Sequence, residues 1–126
     1  MRQLWAPWRL AYVQEAGTED GCVFCQEAAG ALGQASLVVH RSELAVVLLN
    51  KFPYASGHLM VAPVRHLPSL GELGPDEAAE IHALTVRGIA ALTEIYAPDG
   101  FNVGWNLGTV AGGSIAAHLH EHIVPR

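Results

Sequence analysis

Three short apolar runs, rich in β-branched residues and each bounded by turn residues, occupy the middle of the chain. They are Ser36 to His40, Leu44 to Asn50 and His58 to Val64, and they read as strands. The period then changes. From Pro75 to Ala97, residues Ile81, Leu84, Ile89, Leu92 and Ile95 recur at helical spacing and predict one long amphipathic helix. Pro75 suits a first helical position, Asp76, Glu77 and Glu80 suit the positive end of the helix dipole, and Pro98 and Gly100 stop the helix. Phe101 to Asn106 and His118 to Val124 read as two further strands, joined by the small-residue loop LGTVAGGSIAA. A short helix is predicted over Val23 to Ala31, after an irregular arm (residues 1–21) in which Trp5, Trp8 and Tyr12 serve packing. The pattern is α+β: an antiparallel sheet of about five strands with one main helix on a face. All 126 residues fit one domain.

Composition narrows the function. Half of the residues, 51%, are hydrophobic, enough to bury a core without disulfides. The net charge is −5, Lys and Arg together number 7, and Lys51 is the lone lysine. A nucleic-acid surface needs a basic footprint that this chain lacks, whereas a small phosphate ligand needs only an Arg or a few backbone N–H groups. No run approaches the roughly 20 apolar residues of a membrane span, and charges and Pro interrupt MRQLWAPWRL, so no signal-peptide core is present. A cytoplasmic protein is expected. Cys22 and Cys25 form a C-x-x-C, which in a reducing compartment points to metal or redox chemistry rather than a structural disulfide.

The chemistry concentrates in HLHEHIVPR. His118, His120 and His122 are spaced by two, so on a strand they share one face, about 6.6 Å apart. Three imidazoles make a poor core face, because each buried ring nitrogen needs a partner, while Leu119 and Ile123 supply an apolar back face. The row reads as the wall of a site. Spacing alone leaves two chemistries open: a zinc site generating hydroxide, and a histidine nucleophile.

HLHEHIVPR resembles the histidine triad motif, in which three histidines alternate with apolar residues. The likeness extends to LLNKFPYASGHLMVAPVRH, to the Gly-rich NLGTVAGGS, and to LWAPWRLAYV followed by CVFC. The chain is thus identified as a member of the histidine triad (HIT) family, resembling its bacterial diadenosine tetraphosphate phosphorylase-like subgroup.

The resemblance implies a HIT-like fold and a homodimer joined through the helix and an edge strand. It implies attack by His120 on the α-phosphate of a dinucleoside polyphosphate, giving a covalent nucleotidyl-histidine. Phosphate is the expected acceptor and an adenine nucleotide the expected substrate. His122 would donate to phosphate oxygens, His118 would belong to the same catalytic row, and His58 would brace it. Asn50 would bond the ribose hydroxyls. Asn106, Gly112, Gly113 and Ser114 would line the phosphate pocket. Cys22, Cys25, His66 and His118 would hold a structural zinc, with no organic cofactor. The alternatives are a nucleoside phosphoramidase of the AMP-lysine type, a zinc-hydroxide hydrolase, and a nucleotide-binding sensor without turnover.

Three features depart from the family pattern. Glu121 stands where the motif prefers an apolar residue, and strand alternation puts it on the back face. Ser114 replaces the Gln that many members hold against the scissile bridging oxygen. The subgroup usually continues beyond the position of Arg126, so a shortened chain is expected. His40 is expected to be an exposed strand residue, His82 a polar-face helix residue, and Arg9 to meet a phosphate or a surface carboxylate.

Overall fold

The structure, a computed structural model, describes residues 21–50, 56–112 and 118–126. The aromatic arm with Arg9, the link 51–55, and Gly113 and Ser114 lie outside the described residues. Among the described residues two α-helices are present, α1 (Val23–Ala28) and α2 (Pro75–Tyr96). Five strands are present among the described residues, β1 (Val38–Arg41), β2 (Ala45–Leu49), β3 (Leu59–Pro63), β4 (Phe101–Trp105) and β5 (Glu121–Pro125). The strands form one antiparallel sheet in the order β1-β2-β3-β5-β4, so the α+β reading holds.

Strand alternation sorts the core into two layers. Val46, Leu48, Met60 and Ala62 face α1, where they pack with Cys22 and Phe24. Ala45, Val47, Leu59, Val61 and Ile123 face α2, where they pack with Ile81, Leu84 and Leu92. This explains why β2 and β3 read as continuous apolar runs: helices cover both of their faces. Full burial of Ile81, Leu84 and Leu92 contributes about 1.5–3 kcal/mol each.

The helix α2 begins as its sequence requires. Gly74 stands at the N-cap and Pro75 at the first turn, where a missing N–H costs nothing. The Glu77 carboxylate accepts the Gly74 N–H at 2.9 Å and the Arg65 guanidinium at 2.6 and 2.9 Å. The pairing with Arg65 holds Glu77 below the usual carboxylate range, against the effect of its desolvation. Ala97, in the left-handed region at φ 47°, ends the helix after Tyr96.

Most element ends differ by one or two residues from the sequence expectation, and three departures are larger. The short helix stops at Ala28, because the chain turns there and forms a 3-10 turn at Gly33–Ala35. Ile95 leaves the buried stripe and is 70% exposed. The last strand starts at Glu121 rather than His118. Ahead of it the chain leaves the ladder: the Leu119 N–H donates to the Leu67 carbonyl at 2.8 Å.

Candidate active site and metal centre

The register Met60↔His122 and Val61↔Glu121 puts His122 on the α1 face and Glu121 on the α2 face. His118 and His120 precede the strand and turn to the α1 side, where each ring meets Phe24. The three histidines therefore share a face, as their spacing predicts, but their rings do different things.

His118 is buried, and its Nε2 lies 2.8 Å from the carbonyl oxygen of Pro63. A carbonyl only accepts, so Nε2 carries the proton and Nδ1 the electron pair. That Nδ1 lies 3.3 Å from Cys22 Sγ, 3.5 Å from Cys25 Sγ and 3.2 Å from His66 Nδ1. Cys25 Sγ is 3.2 Å from His66 Nδ1, and all four donor atoms lie within 4.8 Å of one another. Neither cysteine is disulfide-bonded. A tetrahedral metal with ordinary Zn–S and Zn–N bonds spaces its donors about 3.3–3.8 Å apart. The cluster fits a metal ion in donor type, spacing and tautomer, the last fixed by a carbonyl behind the ring.

His120 uses the opposite nitrogen. Its Nδ1 lies 2.9 Å from the carbonyl of His118, so Nδ1 carries the proton and Nε2 the electron pair. The ring stacks on Phe24, with centroids 4.5 Å apart and planes 25° apart. Burial lowers the pKa of His120 against the opposing His118 carbonyl, which keeps the imidazole neutral.

His122 is joined to His58. His58 Nε2 and His122 Nδ1 are 2.8 Å apart, and Asn50 Nδ2 is 3.4 Å from the His58 ring nitrogens. In the tautomer that has His58 Nε2–H donating to His122 Nδ1, the Asn50 amide donates to His58 Nδ1 and His122 carries its own proton on Nε2. Desolvation, then the charges of His120 and His58, push the His122 pKa down to about 4. Desolvation, reinforced by His120, also lowers the pKa of His58. His118 falls to about 4, chiefly through burial, with the Pro63 carbonyl opposing and His66 and His120 reinforcing.

Backbone freedom is used beside this chain of bonds. Gly57, just before His58, has φ +82°. A Cβ there would come within 2.8 Å of Tyr96 and 2.9 Å of Leu92, so glycine lets the turn lie against the end of α2. Gly112, also left-handed at φ +88°, packs against Asn106. Asn106 follows Trp105, the partner of Glu121, and so lies at the histidine end of the sheet.

Glu121 meets α2. Thr85 Oγ1 contacts its carboxylate, and desolvation raises its pKa against the Thr85 hydrogen bond and the charge of His82. An acid is accommodated on this face because a helix hydroxyl stands opposite it. His82 is exposed on α2, as expected, whereas His40 on β1 is half-buried rather than exposed.

The HIT domain family model matches residues 31–126. This chain belongs to the HIT domain family. It is 41% identical to the AP-4-A phosphorylase of Mycobacterium tuberculosis over all of its own length and 68% of that protein. A HIT family protein from Bacillus anthracis superposes with a TM-score of 0.77 at 29% identity, covering 86% of this chain and 75% of that one. A Zn-bound histidine triad family protein from Mycobacterium smegmatis superposes with a TM-score of 0.74 at 29% identity, covering 86% and 77%. Cys22 and Cys25 precede the segment that the family model matches, whereas the Mycobacterium tuberculosis alignment spans them. Sequence reasoning missed Phe24 and the carbonyls of Pro63 and His118. Phe24 had one signal, its place between the two cysteines. The carbonyls had none, because every residue carries one.

Proposed function

We propose that this chain is a nucleotidyl transferase or hydrolase acting at the α-phosphate of a dinucleoside polyphosphate such as diadenosine tetraphosphate. The observation that carries the reading is His120: a buried, neutral imidazole whose Nδ1 is held by a carbonyl, so that Nε2 is the nucleophilic nitrogen. The AP-4-A phosphorylase relative supports the substrate class.

In the proposed mechanism, His120 Nε2 attacks the α-phosphorus, the P–N bond forms and the bridging P–O bond breaks. ATP leaves and AMP stays on His120. A phosphate oxygen then attacks the same phosphorus, releasing ADP and restoring the imidazole. His122 Nε2–H donates to the phosphate oxygens, braced through His58 and Asn50. Phosphoryl transfer depends mainly on such positioning and charge stabilisation. Asn50 also stands for the ribose hydroxyls, and Asn106, Gly112, Gly113 and Ser114 for the phosphate wall.

Cys22, Cys25, His66 and His118 would hold zinc. Four protein donors close the coordination shell, which favours a structural ion over a hydroxide-generating one. A homodimer is proposed through α2 and the open edge of β4, where Val86, Ile95, Tyr96 and Val103 are exposed. Among the described residues no helix is long and apolar enough to cross a membrane.

Incubation with diadenosine tetraphosphate, with and without inorganic phosphate, tests the reading. ADP plus ATP that appears only with phosphate is the expected result. AMP plus ATP without phosphate assigns water as the acceptor. No turnover in either condition removes the substrate.

A further inference from the structure

Phe24 sits between the two cysteines of the metal centre, on the first turn of α1, and is 2% exposed. Its ring stacks on His120 and is tilted against His118, with the His118 centroid 5.2 Å away. The helix carrying it is fastened at both ends. At its start stand the donors Cys22 and Cys25. Further along, the fully buried Glu27 accepts Ser36 Oγ–H at 2.6 Å and the Leu37 N–H at 2.7 Å, and the Glu27 carbonyl accepts Arg41 Nε–H at 2.9 Å.

The hydrogen bond from Nδ1 to the His118 carbonyl fixes one edge of the His120 ring. It does not fix the plane, because the terminal torsion of a histidine has a broad, shallow profile. A flat aromatic surface at stacking distance supplies what is missing. We propose that Phe24 is a positioning residue for His120, through which assembly of the Cys22–Cys25–His66–His118 centre orients the nucleophilic Nε2. The metal centre then contributes to nucleotidyl transfer without touching the substrate. This inference rests on the assignment of His120 as nucleophile.

The test is the rate of nucleotidyl-histidine formation with α-labelled diadenosine tetraphosphate, measured together with KM and bound zinc. Phe24→Leu keeps an apolar side chain and removes the flat face. The expected result is a burst about 10- to 100-fold slower, the scale of a misoriented reactant, at unchanged KM and zinc content. Phe24→Tyr restores the face and is expected to restore most of the rate. Chelation is expected to slow the burst in the parent and to add less in Phe24→Leu, since the two perturbations share one route. A Phe24→Leu burst within about twofold of the parent at full zinc content overturns the inference, as does a fall in rate matched by an equal rise in KM. Should Phe24→Leu not fold, Glu27→Gln decides: it loosens the anchor of α1 without touching His120, and an unchanged burst rate overturns the coupling. A parent that forms no nucleotidyl-histidine overturns the nucleophile assignment instead. The orienting contact is then judged separately by nitrogen-15 relaxation of the His120 ring, which is expected to become more mobile in Phe24→Leu.

Discussion

His118 and His120 stand two residues apart and hand opposite ring nitrogens to the backbone. His118 gives its Nε2 proton to Pro63 and turns Nδ1 to a Cys2His cluster. His120 gives its Nδ1 proton to the His118 carbonyl and keeps the electron pair on Nε2. In the proposed function the same side chain in one motif thus serves as a metal donor at one position and as a nucleophile at the next. What separates them is the carbonyl that each ring meets. An imidazole's chemistry follows from the partner that fixes its tautomer.

The largest expected effect separates the two rings. His120→Ala is expected to lower turnover by about 10⁴-fold or more and to abolish the labelled intermediate, with metal content unchanged. His118→Ala is expected to lose the metal and to lower melting temperature and activity together. Turnover, label trapping and metal analysis on both variants check this. Equal metal loss in the two would erase the distinction.

The metal end is tested next. Cys25→Ser weakens one donor of the cluster and is expected to release the metal and cost about 3 kcal/mol or more, a drop of roughly 10 °C in melting temperature. Thermal melts with and without added zinc measure it. A melting temperature indifferent to both would mean that the four donors hold no structural ion.

Much of this contrast was legible in HLHEHIVPR. Period-two spacing placed the imidazoles on one face and Glu121 on the other, and the helical stripe Ile81, Leu84 and Leu92 marked the opposite layer. Ile95 misled because periodicity records a face and says nothing of whether a neighbour covers each position on it. The start of the last strand was misplaced because the Leu119 N–H bonds to Leu67 in a loop, a pairing with no local pattern. The division of labour among the histidines was out of reach of spacing, since it depends on backbone carbonyls that no residue type signals.

The pH response sharpens the comparison. The pKa of His122 is lowered to about 4, and that of His58 is lowered too, so between about 4 and the ordinary 6.5 the native state binds fewer protons than the unfolded chain. Their contribution to stability is therefore present above 6.5 and is lost as pH falls toward 4. Urea titrations at stepped pH should show the fall. The acid limb of kcat/KM should lie below the ordinary imidazole value, because His120 is lowered as well. An acid limb at or above 6.5 would mean that burial does not keep the nucleophile neutral.

The smallest effect belongs to the back of the same strand. The Thr85 hydroxyl has one proton and two contacts, the Ile81 carbonyl at 2.8 Å and the Glu121 carboxyl. If that proton goes to Ile81, Glu121 satisfies the second contact only by donating, which requires it to be protonated. Burial favours this by raising the Glu121 pKa, and the charge of His82 opposes it. The sign is opposite to that of the histidines: stability from Glu121 is full below the usual carboxylate range and is lost as pH rises through the raised value. Glu121→Gln keeps an N–H for Thr85 and removes the titration. It should match the parent within about 0.5 kcal/mol at low pH and exceed it slightly near neutrality, whereas Glu121→Ala should cost about 1 kcal/mol at low pH. Urea denaturation of the three proteins at both pH values decides. A parent and a Glu121→Gln variant with parallel pH profiles would mean that this carboxyl titrates alike in the folded and unfolded chain, leaving the front-face histidines as the source of the strand's pH dependence.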